Sequence, residues 1–330
     1  MAHEVKINCS LFNIKERSPK KGVAKKLSVG SVNTVTNDEE ETLAFYDFFR
    51  KFIKAFNGEY LSTLGSGRAL YIAPKSVKLK SAENIFYGYF QAGRTGLSKS
   101  IREKNNPEKE IFPVKPDHVD SRDYFFLIWA PPKSKEGLIL IQGFSSEIYS
   151  DLFCKLFRRF FNEHTKKQVL NIGKLTPKKY VDHVKKQSKV NKITIRQHRV
   201  ASDRASQLTG FEFINNDVEV TIQVKGLETF SDKINGFLQS AIIKSGITTY
   251  TTPLLEEIGM KDAHLSVEYE YEGKRVTARQ DKSFELAPSF YISKDDIKID
   301  PVTKLPTKRS ITRYCLKFYK NIIEHELGAS

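Results

Sequence analysis

Arg159-Phe-Phe-Asn-Glu-His164 places a guanidinium and an imidazole at R-x4-H spacing, with Arg158 giving the x5 version. In that pairing the arginine stabilises charge growing on a phosphorus centre, and the histidine shuttles the proton of a 2′-hydroxyl during RNA cleavage. Glu272-Gly-Lys274, with Asp262 upstream, offers a second chemistry: carboxylates holding Mg²⁺ beside a lysine for phosphodiester hydrolysis. Both patterns are short, and each has a simpler role. An imidazole near the end of an amphipathic helix suits its last carbonyls, and Glu-Gly-Lys is ordinary hairpin-turn composition. Catalysis is therefore the secondary expectation: a ribonuclease or Mg-dependent nuclease, for example an antiviral-defence effector, with Arg159 and His164 as the catalytic pair.

The R-x4-H spacing is similar to that of HEPN-type ribonucleases, whose fold is all helical, whereas strands are expected around this helix. The E-x-K triplet resembles half of a restriction-type nuclease core. Gly93-Arg94-Thr-Gly96-Leu-Ser98-Lys99 lacks the Walker A spacing, but Arg94 and Lys99 give it the makings of an anion-binding loop. Leu64-Gly-Ser-Gly-Arg68 precedes a strand rather than a helix, outside the dinucleotide-binding context. The seven histidines fall into no metal-ligand spacing, and the three cysteines form no CxxC pair. No metal and no cofactor are expected. With so few cysteines, no apolar leader and no run of 18 apolar residues, the chain reads as a soluble, reduced, cytoplasmic protein that needs no membrane.

Charge carries more information than these motifs. The 330 residues hold 54 Lys and Arg against 39 Asp and Glu, a net charge of +15. Residues 151–210 contribute 15 Lys and Arg against 4 Asp and Glu, which is +11, whereas 211–260 and 261–300 are net acidic. A chain basic only for solubility would spread its lysines. On a helix over Lys178–Lys189, Lys178, Lys179, Lys185, Lys186 and Lys189 share one side, opposite Tyr180, Val181 and Val184. The following strand divides the same way at period two, with Lys192, Thr194, Arg196 and His198 opposite Ile193 and Ile195. Arg158, Arg159, Arg199 and Arg204 flank this surface, with Lys166 and Lys167. Crowded like charges cost stability unless a polyanion compensates them, and nucleic acid gains by counterion release. The leading expectation is a nucleic-acid-binding protein, DNA-binding or RNA-binding, that reads backbone rather than base sequence. Such a protein would serve as a sensing subunit of a larger system. A protein-interaction subunit, with a protein partner or as a homo-oligomer, is the further alternative.

These residues need elements to hold them. Val5–Ile14 reads as a strand and Lys15–Thr36 as a basic loop. Asn37 or Asp38 is expected to cap a helix with Glu39, Glu40 and Glu41 in its first turn and Phe45, Phe48, Phe49, Phe52 and Phe56 on its apolar side. Strands are expected at 69–73, 76–80 and 85–91, followed by a long polar loop from Gly93 to Asp120. The apolar run Tyr124–Ala130, stopped by Pro131-Pro132, pairs with Gly137–Gln142 as a buried hairpin. Ser145 should cap a helix reaching Thr165, and Thr165–Lys174 reads as a connector. Thr176-Pro177 opens the basic helix, and a further helix runs from Ser231 to Ile243. Strands follow at 192–200, 211–214, 218–225, 263–271 and 275–278, with a terminal helix over 310–327. The fold class is α+β, with mainly antiparallel sheets packed against helices. Two subdomains, 1–167 and 168–330, are expected, the second carrying the basic helix–strand surface.

Overall fold

A computed structural model describes residues 4–17, 25–36, 39–63, 65–144, 147–175, 190–200, 206, 218–225, 264–271, 274–280 and 286–323. The fold is α+β, with antiparallel sheets packed against helices. The chain divides into two compact units, one formed by Met1–Gly173 with Lys294–Lys317 and the other by Lys174–Ser293 with Phe318–Ser330.

In the first unit, β1 (Val5–Glu16) lies beside β12 (Gly137–Phe144), which pairs with β11 (Asp120–Trp129). The sheet continues through β8 (Ile85–Arg94) and β6 (Arg68–Tyr71) to β5 (Leu61–Ser62). Two short strands, β2 (Lys26–Leu27) and β7 (Lys78–Lys80), extend β1 and β8 respectively. The β11–β12 hairpin forms as its composition demands. Tyr124 to Ala130 is buried throughout, and Phe126 stands opposite Ile141. A run apolar on both faces fits only a central strand.

Helices α1 (Phe45–Lys54) and α2 (Ser150–His164) cover one face of this sheet. Their aromatic stripes interlock: Phe52 lies 5.1 Å from Phe157, and Phe48 lies 5.3 Å from Phe161. Sheet residues complete the cluster, with Phe12 stacked on Phe45 and Phe126 against Phe153. Each buried phenylalanine contributes roughly 1.5–3 kcal/mol, so this layer is the main stabilising core of the unit. The opposite face, carrying Tyr89 and Phe125, is covered by the returning segment. Helix α3 (Lys308–Ile322) begins there, and Tyr89 donates its hydroxyl hydrogen to the Lys308 carbonyl at 2.7 Å.

Several local expectations are corrected. Residues Glu39–Ala44 form strand β4, paired with β3 (Ser31–Thr36), instead of the first turn of a helix. The β-branched Val32, Thr34, Val35 and Thr36 favour an extended partner, and the Thr34 hydroxyl donates to the Glu41 carbonyl. Helix α1 therefore starts only at Phe45, still burying the expected phenylalanines. The basic loop ends earlier than Thr36 for the same reason. The polar stretch after Gly93 contains a second hairpin, β9 (Lys99–Glu103) with β10 (Asn106–Val114), nearly every side chain of which faces solvent. The connector after Thr165 is strand β13 (Gln168–Lys174), paired with β1. Helix α2 begins at Ser150, because Phe144 and Glu147 first close a bridge; Ser145 lies outside the described residues. The helices expected from Thr176 and from Ser231, and the strand at 211–214, also lie outside them.

Candidate nucleic-acid interface

The second unit presents a sheet in the order β15, β14, β16, β17, β18: β14 is Val190–Val200, β15 Val218–Lys225, β16 His264–Tyr271, β17 Lys274–Gln280 and β18 Leu286–Tyr291. Every neighbouring pair in this run is antiparallel. Lys-Ile-Thr-Ile-Arg in β14, Thr-Ile-Gln-Val-Lys in β15 and His-Leu-Ser-Val-Glu in β16 all alternate polar and apolar residues. Alternation gives each strand one polar side, and the register decides whether those sides coincide.

They do coincide. Lys192 stands between Lys225 and Glu268, Thr194 between Gln223 and Ser266, and Arg196 between Thr221 and His264. One strand further, Glu268 pairs with Thr277, Ser266 with Arg279 and Glu270 with Arg275. One side of the sheet is thus polar at every described register position from β15 to β17. It carries the cationic positions 192, 196, 225, 275 and 279 and the acidic positions 219, 268 and 270. Arg196, Thr221 and Gln223 are exposed, and Lys192 and Thr194 are half-buried. The alternate positions are mainly apolar, with Gln197, Lys274 and Gln280 as exceptions, and among them Phe290 is buried with an edge-on contact to Phe318 at 5.2 Å. Directly opposed residues on neighbouring strands lie about 4.5–5.5 Å apart, so these register positions adjoin one another from strand to strand.

The sequence places Lys192, Thr194 and Arg196 on one side, and β14 does the same. After Gln197 the register slips, since Gln197 opposes Val220 while Val200 opposes Val218. This bulge interrupts the simple alternation at His198 and Arg199. Lys178, Lys179, Lys185, Lys186, Lys189 and Arg204 lie outside the described residues, as do Asp262 and Glu272. The contributions of Lys225, Arg275 and Arg279 were missed. Only the pairing brings Lys225 beside β14, and Arg275 and Arg279 beside β16.

The remaining candidates belong to the first unit. Arg158 donates from Nη2 to the Ile172 carbonyl at 3.0 Å, tying α2 to β13. Arg159 faces Glu163 at 3.9 Å, whereas His164 donates from Nδ1 to the Phe160 carbonyl and stacks on the Phe160 ring. In the glycine loop, Lys99 is paired with Asp120 at 2.5 Å, and Arg94 is exposed at the end of β8. Two of the loop amides are already engaged, Thr95 with the Gly67 carbonyl and Gly96 with that of Pro116. Among the described residues no group of three His, Cys, Asp or Glu is placed to hold a metal ion. None of the described helices is long and apolar enough to cross a membrane. Comparison of the chain with protein-family models and with curated proteins finds no match in either.

Proposed function

We propose that this protein binds nucleic acid through the polar side of the second unit's sheet, as a binding or sensing subunit of a larger cytoplasmic system rather than an enzyme. The observation that carries the reading is the register that sets Lys192 beside Lys225 and aligns Arg196 with the polar positions of β15 and β16. It is supported by the charge of residues 174–210, the part of the basic segment in this unit, which holds 10 cationic against 2 acidic residues. Cationic groups spaced along a sheet meet phosphates without reading bases, so backbone contacts dominate and sequence discrimination is weak. The acidic positions 268 and 270 on β16 and 219 at the start of β15 limit how closely a polyanion lies there and leave β14 and the Lys225 end of β15 as its principal track.

Fluorescence anisotropy with single- and double-stranded DNA and RNA, repeated from low to high salt, tests this. The logarithm of the binding constant should fall linearly with the logarithm of salt concentration. Replacing Lys192 and Arg196 together by Ala should weaken binding about tenfold or more and reduce the salt slope by about one per lost phosphate contact. A flat salt response, or unchanged binding by the folded double variant, would overturn the proposal.

A protein-interaction role is the second reading, favoured by the β9–β10 hairpin. Leu97, Ile101, Ile111 and Phe112 are 48–60 % exposed, and Ile101 stands opposite Phe112 across the hairpin. Solvated apolar groups gathered on one hairpin suit a protein partner or a second copy of the chain. Sedimentation velocity separates these: Phe112→Ser should change association only if the hairpin drives it.

A further inference from the structure

On the face of the first unit's sheet opposite α1 and α2, residues 303–311 cross β8, β11 and β12 and leave a pocket of about 370 Å³. That volume lies in the range of small-molecule sites. Tyr89, Phe144, Leu305 and Ile311 supply apolar wall, while Arg122, Gln142, Lys308 and Asp123 supply polar wall.

The polar groups are unbalanced toward donors. Gln142 is 3 % exposed, and its Oε1 accepts the Phe125 N–H at 3.0 Å. Its amide NH2 then points away from that bond and has no acceptor among the described residues. Arg122 lies over the Phe144 ring at 5.9 Å. Its Nη1 is 3.4 Å from Glu147 Oε2 without a hydrogen bond, and that nitrogen is shielded from solvent. Glu147 Oε2 is instead taken by the Tyr124 hydroxyl at 2.9 Å. A guanidinium offers five N–H donors; Nη1 of Arg122 is shielded from water with no hydrogen-bond acceptor, while the side chain as a whole is about one-third exposed. Lys308 adds an ammonium, bonded to Asp123 at 2.6 Å, with two further donors.

A buried donor without an acceptor is costly, and a ligand with acceptor oxygens is the group that satisfies Arg122 Nη1 while also reaching the Gln142 amide and Lys308. We propose that this pocket binds a small organic oxyanion: a carboxylate or phosphate monoester on an apolar body. Arg122 and Gln142 donate to its oxygens, Lys308 adds charge at the rim, and Phe144, Leu305 and Ile311 receive the body. A cation is disfavoured, because Asp123 already faces Lys308 and Glu147 already faces Arg122 and Tyr124. This site is independent of the nucleic-acid reading and lies wholly within the first unit.

Calorimetric titration of the full chain with phenyl phosphate, benzoate and benzylamine tests the assignment. At least one of the two anions should bind with a dissociation constant of about 1 mM or tighter, and benzylamine should not. Whichever anion binds tighter identifies the head group. Arg122→Gln should weaken binding about tenfold or more, since it removes the charge and the fork. The unmutated protein gives a check that survives if this variant fails to fold: the Gln142 side-chain NH2 resonances should shift on titration with the bound anion. Absence of binding by both anions, equal binding of benzylamine, unshifted Gln142 resonances, or an unchanged dissociation constant in folded Arg122→Gln would overturn the proposal.

Discussion

Arg159 and His164 diverge on α2: five positions apart, they are separated by about 140° of helical rotation. The guanidinium turns to Glu163 and the imidazole to the Phe160 carbonyl. Their R-x4-H spacing therefore delivers them to different sides of the helix. His164→Ala should lower stability by about 0.5–1 kcal/mol through loss of one part-buried hydrogen bond to the last turn of the helix. Urea unfolding measures this, and RNA incubated with either protein should remain intact.

Thr165 follows at once and has a larger role. Its buried hydroxyl bridges the carbonyls of Phe161 at 2.8 Å and Gln168 at 3.1 Å, closing α2 and starting β13. Thr165→Val keeps the shape and removes the hydroxyl donor that the two carbonyls share. It should cost about 1–3 kcal/mol by the same unfolding measurement, more than the change at His164.

Arg68 holds the start of α2 with a two-point contact. Nη1 and Nη2 donate to the two oxygens of Asp151 at 3.1 and 2.8 Å, and Nη1 also reaches the Ile148 carbonyl. Arg68→Lys keeps the charge and loses the planar fork. A loss of about 1 kcal/mol is expected, since both partners are partly exposed. A double-mutant cycle with Asp151→Asn should show that the two residues are coupled.

Alkaline pH gives a test with a definite sign. Burial raises the Tyr89 hydroxyl to about 12, although its hydrogen bond with Thr312 acts against this. An unfolded tyrosine ionises near 10. Between these values the unfolded chain releases a proton that the folded chain keeps, so folding stability is fully present below about pH 10 and falls as pH rises toward 12. Tyr89→Phe should flatten that part of the stability profile. Burial likewise raises the Cys154 thiol to about 12, so its reaction with a thiol reagent at pH 8 should be slow until the protein unfolds.

Which features were legible depends on how local their causes are. The β11–β12 hairpin is written in an unbroken apolar run ended by two prolines, and β14 in strict alternation, so both are readable from a few residues. Glu39–Glu41 suit a helix start as well as a strand, and only pairing with Ser31–Thr36 decides between them. The β9 and β10 strands bury almost nothing and therefore leave no apolar pattern to read. Lys192 and Arg196 were visible for the same reason as β14. Lys225, Arg275 and Arg279 were not, because register is fixed by strands distant in sequence. Arg122, Gln142 and Lys308 share no motif at all; the fold alone brings them to one pocket.

Gly93 shows how tightly β8 and β11 are fitted. A Cβ at that position would overlap the Asp120 carbonyl oxygen and crowd Ser121. Because the obstruction is backbone in the middle of a sheet, Gly93→Ala should destabilise the first unit by about 1–3 kcal/mol. A thermal melt showing no change would contradict this geometry.

The first unit is assembled from two stretches that leave the ribosome at different times. Tyr89 is joined to Lys308, 219 positions later, and the larger part of the second unit, Lys174–Ser293, is synthesised in between. A nascent chain stalled before residue 294 therefore carries Phe125 and Tyr89 without their cover, a greasy plane that chaperones recognise. Translation speed across the intervening region, rather than any one contact, then governs how long that plane stays open to aggregation.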